Sequence, residues 1–176
     1  ESSGKSVTVE MGRVSFQSED IPVSGKSREV LNETLEINGE EITFSAATIG
    51  NPHCIVLNKN ISAQEAGRIG PLLETHSNFP NRTNVQFLEV LNRKTIRIEI
   101  WERGAGYTLA SGSSSSAAAA VAYRLGLCDA KIAVLMPGGQ IDITISDNYE
   151  ITMKGSVTRI GKMILDLECL DLEIPA

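Results

Sequence analysis

Between Ser113 and Val121 the chain offers only serine, alanine and a single valine, and no charge appears before Arg124. Alanine is the strongest helix former, and Gly126 just past the run suits a C-terminal cap, so residues 113–125 predict a helix. A surface helix needs a polar face, and this one has none. It has to be buried on most sides, with small side chains that let neighbouring backbone come close. The rest of the chain must therefore be built around it.

Short alternating segments supply that surround. Val7-Thr8-Val9-Glu10-Met11 alternates apolar and polar, the pattern of a half-buried strand. Leu35-Glu36-Ile37 and Ile42-Thr43-Phe44 flank Asn38-Gly39, which suits a tight hairpin because both residues accept positive φ. The second strand should run on to Ile49, where Gly50-Asn51-Pro52 breaks it and residues 53–57 resume an extended run. Residues 84–91 and 95–101 read as strands joined around Asn92-Arg93. Residues 132–136, 141–145, 151–155 and 157–165 read as extended too, with turns at Pro137-Gly138-Gly139 and Asp147-Asn148. Ser62 with Glu65 forms a capping-box signature ahead of Ala66, Ile69, Leu72 and Leu73, while Gly67, Gly70 and Pro71 predict that this helix is short or split. Residues 17–27 read as loop and residues 1–5 as a frayed start. Many strands around one buried helix make an α+β domain, not a parallel doubly wound one.

Composition narrows the function classes. The 176 residues are 41% hydrophobic and 22% charged, globular proportions with room for one domain or at most two small halves. No apolar run approaches the roughly 20 residues of a bilayer span and the opening is not leader-like, so neither a membrane span nor a signal peptide is expected. Sixteen Lys and Arg against 22 Asp and Glu leave a net charge of −6, which disfavours a nucleic-acid binder while leaving room for a local anion pocket. Cys54, Cys128 and Cys169 are odd in number and widely spaced, forming neither a disulfide framework nor a metal clip. No metal site is expected, the expected setting is a reducing cytoplasm, and each cysteine reads first as a small buried hydrophobe.

The segment from Trp101 to Ser113 carries most of the chemistry. A strand ends in Glu102-Arg103, Gly104-Ala105-Gly106 follows, and the buried helix then begins. The first turn of a helix has unpaired N–H groups and a partial positive charge, so it attracts carboxylate or phosphate. Gly112 would let a ligand approach the backbone, and Ser111 would point its hydroxyl at that ligand. Capping and small-residue packing explain the Ser113–Ser116 run equally well, and a solvated ion pair explains Glu102 and Arg103. A dinucleotide fingerprint is ruled out because Leu109 stands at its third glycine position, and the Gly-Lys-Ser triplets lack the rest of a phosphate-binding loop. His53, just past Asn51-Pro52, is expected on a rim, as a structural or a catalytic group. Asn84 is placed to hydrogen-bond a ligand or to close an ordinary turn.

Gly50-Asn51-Pro52-His53-Cys54, Phe79-Pro80-Asn81-Arg82-Thr83-Asn84, Trp101-Glu102-Arg103-Gly104-Ala105-Gly106 and Pro137-Gly138-Gly139, in this order, resemble the carboxy-terminal half of diaminopimelate epimerases. Val9-Glu10-Met11-Gly12 is similar to that family's linker strand, so the resemblance covers nearly the whole chain. It implies a strongly bent mixed sheet around one central helix, with residues 1–176 as the second of two pseudo-symmetric halves. It also implies a cofactor-independent isomerase that interconverts LL- and meso-diaminopimelate for lysine and peptidoglycan precursors, using one cysteine from each half. By motif, Asn51 and Asn84 would hold the distal end of the amino dicarboxylate and Arg103 its distal carboxylate, with Glu102 beside them. Gly112 and Ser113 would offer backbone N–H groups to the α-carboxylate, and Glu102 and His53 would tune proton transfer.

Two positions depart from the family pattern. Ser111 replaces the catalytic cysteine, and Tyr107 stands where glutamate is usual. A hydroxyl is a poor base unless a neighbour takes its proton, so a catalytically silent or altered-chemistry member that binds an amino dicarboxylate is the alternative. A hydrolase using Ser111, His53 and Glu102 is a third reading. The partners implied are the amino-terminal half and the small-molecule substrate, with no nucleic acid or membrane, and a homodimer is left open.

Overall fold

The computed structural model describes residues 5–165, so Cys169 and residues 1–4 lie outside it. Its elements are β1 (Lys5–Arg13), β2 (Glu33–Ile37), β3 (Glu40–Thr48), β4 (Pro52–Leu57), α1 (Ala63–Glu74), β5 (Asn84–Asn92) and β6 (Thr95–Glu102). There follow β7 (Gly106–Thr108), α2 (Gly112–Arg124), β8 (Lys131–Met136), β9 (Gly139–Ile145) and β10 (Glu150–Val157). All ten strands join one sheet in the order β1-β10-β9-β8-β6-β5-β4-β3-β2, with β7 paired to β6. The β4–β5 and β6–β8 pairs are parallel and the others antiparallel, so the sheet is mixed.

The sheet curls around α2, which packs against β3, β4, β5, β6, β8, β9 and β10. A flat sheet could not reach so many faces of one helix. Residues 114–122 of α2 are buried throughout, as a charge-free run of Ser and Ala requires. Ile96, Ile98 and Ile100 alternate along β6 toward this core, and each contributes roughly 1.5–3 kcal/mol by leaving water. A second core lies on the opposite face, where Ile69 and Leu73 of α1 meet Phe44, Val56 and Phe87. Strands β3, β4 and β5 therefore have both faces covered. That explains the unbroken apolar run in β4, which parallel, doubly covered strands favour.

The hairpin at Asn38-Gly39 forms with φ of 51° and 84°, as the dipeptide predicts. Helix α1 starts at Ser62, whose Oγ accepts from the Glu65 N–H at 3.1 Å. It is neither short nor split: α1 runs continuously for 12 residues through Pro71. The proline leaves only the carbonyl of Gly67 without its helical donor, and Gly67 is exposed to water. The extended reading of residues 157–165 is also corrected. Strand β10 stops at Val157, opposite Lys5 of β1, and residues 158–165 have no described strand to pair with. No helix among the described residues is long and apolar enough to cross a membrane.

Candidate active site

Because β4 and β5 run parallel with His53 opposite Asn84, and β6 returns antiparallel with Trp101 opposite Val85, the motif residues collect at one end of the sheet. Asn84 is buried there and joins three segments. Its Nδ2 donates to the Pro52 carbonyl at 2.8 Å, and its Oδ1 accepts from the Arg103 backbone N–H at 3.0 Å. Its amide thus braces the turn that carries Arg103.

His53 does not lie on a rim. It is fully buried, because its β4 position faces α2 under a sheet covered on both sides. Its Nδ1 lies 3.3 Å from Gln86 Oε1 and its Nε2 lies 3.0 Å from Asn51 Oδ1. Burial, helped by the nearby Arg103 cation and opposed by the Gln86 bond, lowers its pKa to about 4. The ring is therefore neutral near pH 7. A neutral ring has one N–H, so it donates to one of these two amide oxygens, and the tautomer decides which. Gln86 Nε2 in turn donates to Ser114 Oγ at 3.0 Å, and the Ser114 N–H reaches Ser111 Oγ at 3.4 Å. A chain of side chains thus runs from Asn51 through the core to the start of α2.

This burial has a measurable consequence. The unfolded ring titrates near 6.5 and the folded one near 4, so the unfolded state takes up the proton first as pH falls. Stability is expected to drop by about 2 kcal/mol between pH 7 and pH 5. Urea unfolding at both pH values checks this, and a His53→Gln variant should lose most of the difference.

Ser111 is the N-cap of α2, with its Oγ also 3.5 Å from Ser113 Oγ. Ser111, Gly112 and Ser113 are all half-buried. The amides of Gly112 and Ser113 sit in the first turn, where helix geometry supplies no acceptor. A Cβ on Gly112 would come within 2.8 Å of Met153 Sδ, the end of a flexible side chain. The Pro137-Gly138-Gly139 turn supports this entrance. Gly138 N–H donates to the Leu109 carbonyl at 2.8 Å, and a Cβ there would lie 2.9 Å from the same oxygen.

The Glu102-Arg103-Gly104-Ala105-Gly106 stretch is a hairpin tip, because β7 returns along β6 with Gly106 opposite Glu102. Sequence reading missed this strand, which is three residues long. Arg103 is exposed, and its Nη1 donates to the Asn81 carbonyl at 3.0 Å. Glu102 accepts weakly from Thr108 Oγ1 at 3.3 Å. Tyr107 turns to Glu99, donating its hydroxyl at 2.6 Å, and burial and that carboxylate push its pKa up to about 12. Both nitrogens of His53 are engaged by amides, so no Ser111–His53 hydrogen bond of the hydrolase type is assembled. Cys54 and Cys128 are buried, and burial pushes both thiols up, away from the thiolate form.

Two residues of this region escaped the sequence reading. Gln86 is a polar residue at an inward position between Val85 and Phe87, and that interruption was its only signal. Glu74, at the end of α1, is buried and accepts hydrogen bonds from Trp101 Nε1 and Gly104 N, each at 2.8 Å.

A model of the diaminopimelate epimerase family matches residues 45–160, the span that holds every site residue placed above. The chain belongs to the diaminopimelate epimerase family. It is 58% identical over 170 residues to a protein named diaminopimelate epimerase 2 from Nostoc sp., covering 97% of this chain and 60% of that protein. A diaminopimelate epimerase from Alkaliphilus metalliredigens is 38% identical over 157 residues, covering 89% of this chain and 56% of that protein. Among solved structures, a hydroxyproline epimerase from Agrobacterium vitis shares the fold with a TM-score of 0.62 at 16% identity, over 86% of this chain and 49% of that one. The chain thus spans 56–60% of the length of these two curated epimerases.

Proposed function

We propose that this chain is the second half-domain of a diaminopimelate epimerase, an isomerase that inverts one α-carbon of an amino dicarboxylate without a cofactor, in the supply of lysine and peptidoglycan precursors. The observation that supports this most is the convergence of Asn51, His53, Asn84, Glu102 and Arg103 with the N-terminus of α2 at one end of the sheet. The first-turn amides of Gly112 and Ser113 would hold the α-carboxylate, and Arg103 the distal carboxylate. Removing an α-proton beside a carboxylate builds negative charge, which preorganised donors stabilise best when water is excluded.

In that reaction a base on one face takes the α-proton and an acid on the other face returns one, so the net change is inversion alone. This chain would contribute one face, with Ser111 at the proton-transfer position, Glu102 at the hairpin tip as a tuning group and His53 as a buried support. The remainder of a full-length protein would contribute the other face. An apolar groove of about 340 Å³ beside Ala110, lined by Val7, Val9, Met136, Ile141 and Met153, is the surface on which we seat it. Val7 and Val9 are 46% and 39% exposed on this groove.

The second reading is a binding protein that keeps the dicarboxylate pocket without turnover. One observation favours it: the Ser111 hydroxyl caps its own helix and, among the described residues, has no base bonded to it. Calorimetry of the full-length protein with diaminopimelate, paired with α-proton exchange in D₂O, decides between them. Binding with exchange is expected from the epimerase, and binding without exchange from the silent form. No binding at all would overturn both. This chain alone is expected to show no exchange, and turnover by it would overturn the two-half site.

A further inference from the structure

We infer that Glu74 is a positioning residue for the distal-carboxylate contact: its buried carboxylate fixes the Glu102–Arg103–Gly104 turn against the turn that leads into Asn84. Glu74 is 4% exposed, yet it carries a charge. A buried carboxylate persists only where its oxygens are satisfied. Oε2 accepts from the Trp101 indole, and Oε1 accepts from the Gly104 backbone N–H and from Arg82. The Glu74 carbonyl also accepts from the Thr83 N–H at 3.1 Å. One residue therefore ties the last strand residue pair of β6, the tip that follows it, and the chain just before β5.

The tip closes on itself through the Ala105 N–H to the Glu102 carbonyl at 3.1 Å, and the Arg103 side chain reaches the Asn81 carbonyl, but its two leading amides rest on side chains. Arg103 itself is exposed, and Gly104 has a φ of 78°, so its conformation is held by bonds and not by side-chain packing. The Arg103 N–H is held by Asn84 and the Gly104 N–H by Glu74, two successive amides fixed by two buried acceptors. Burial works against the ionised form of Glu74, but the Trp101 and Gly104 bonds and the Arg82 cation together hold its carboxyl below the usual range. The acceptor is thus charged at neutral pH, and its bonds are of the stronger, charge-assisted kind.

The inference rests on the proposed role of Arg103, and its test separates the two. Trp101 is the single tryptophan, so its indole signal reports this cluster alone. In Glu74→Gln the amide has one acceptor oxygen and a donor where three donors converge. In ¹⁵N-labelled chain, the Trp101 indole and the Arg103 and Gly104 amides are expected to shift while Ala117 to Ala120 of α2 stay in place. Unmoved signals at the tip, or changes spreading through α2, would overturn the positioning role. Trp101→Phe, which removes one donor and keeps a ring, gives the same readout at Gly104 if the glutamine variant fails to fold. In the full-length protein, Glu74→Gln is expected to weaken diaminopimelate binding about tenfold, the loss of one hydrogen-bond equivalent. It should also be non-additive with Arg103→Ala, whereas simple destabilisation would add. Should the unaltered protein not bind diaminopimelate, the functional reading fails while the tip signals still decide the role of Glu74.

Discussion

Replacing Ser111 with cysteine in the full-length protein is expected to raise α-proton exchange of LL-diaminopimelate by about 10²–10⁴-fold, the contribution of a positioned acid–base group. The reason is the acidity of the atom at the N-cap of α2. A thiol titrates near 8.5 in water and lower at a helix N-terminus, so a useful thiolate fraction exists at neutral pH. The Ser111 hydroxyl has no such fraction, and the bonds it makes go to Ser113 and Ser114, which are not bases. Sulfur caps less well than oxygen, so the same change should cost about 1 kcal/mol of stability. Exchange in D₂O and thermal melts of both proteins measure the two effects. A cysteine variant no faster than the serine protein would show that the half-site has lost more than its thiol, and would favour the silent-binder reading.

The largest stability effect is expected at Gly70, and Gly67 three residues earlier should respond with the opposite sign. Both lie in α1, where alanine is favoured over glycine by about 1 kcal/mol. At Gly67 a Cβ meets nothing within 4 Å, so Gly67→Ala should stabilise by close to that amount. At Gly70 a Cβ would lie 2.6 Å from both Cβ and Cγ of Trp101. That indole cannot step aside without losing its bond to buried Glu74. Overpacking of this kind costs about 1–3 kcal/mol and sometimes more, so it outweighs the helix gain. Contacts of 2.6 Å to two atoms put Gly70→Ala at the upper end of that range, and after the helix gain a net loss of about 2 kcal/mol should lower Tm by roughly 4–8 °C, read by calorimetry. Equal melting points for the two alanine variants would mean that α1 rides farther from β6 than described.

Helix α2 and the Asn38-Gly39 hairpin were legible because local chemistry left them a single solution. A charge-free Ser/Ala helix has only the interior to go to, and Asn-Gly tolerates the positive φ that a two-residue turn demands. The cap at Ser62 was legible for the same reason, whereas Pro71 and the glycines of α1 misled: local propensity was overridden by the packing of Ile69, Leu73 and Gly70 on the sheet. The burial of His53 could not be read locally, since it depends on β5 running parallel beside β4 and on α2 covering it. The extended reading of residues 157–165 failed because a strand needs a neighbour as well as a pattern. At the site, single residues such as Arg103 and Ser111 stood out by motif. Glu74 and Gln86 did not, because a carboxylate at a helix end and an amide in a strand look ordinary until distant donors converge on them.

The inward serines of α2 carry one more consequence. Ser115 and Ser116 turn their hydroxyls back onto the carbonyls of Ser111 and Gly112, each at 2.8 Å, and Ser114 is held by Gln86. With all three shielded from solvent, these hydroxyls are closed to any modifying enzyme in the folded protein. Added phosphate on these side chains would therefore mark molecules that had been captured before they folded.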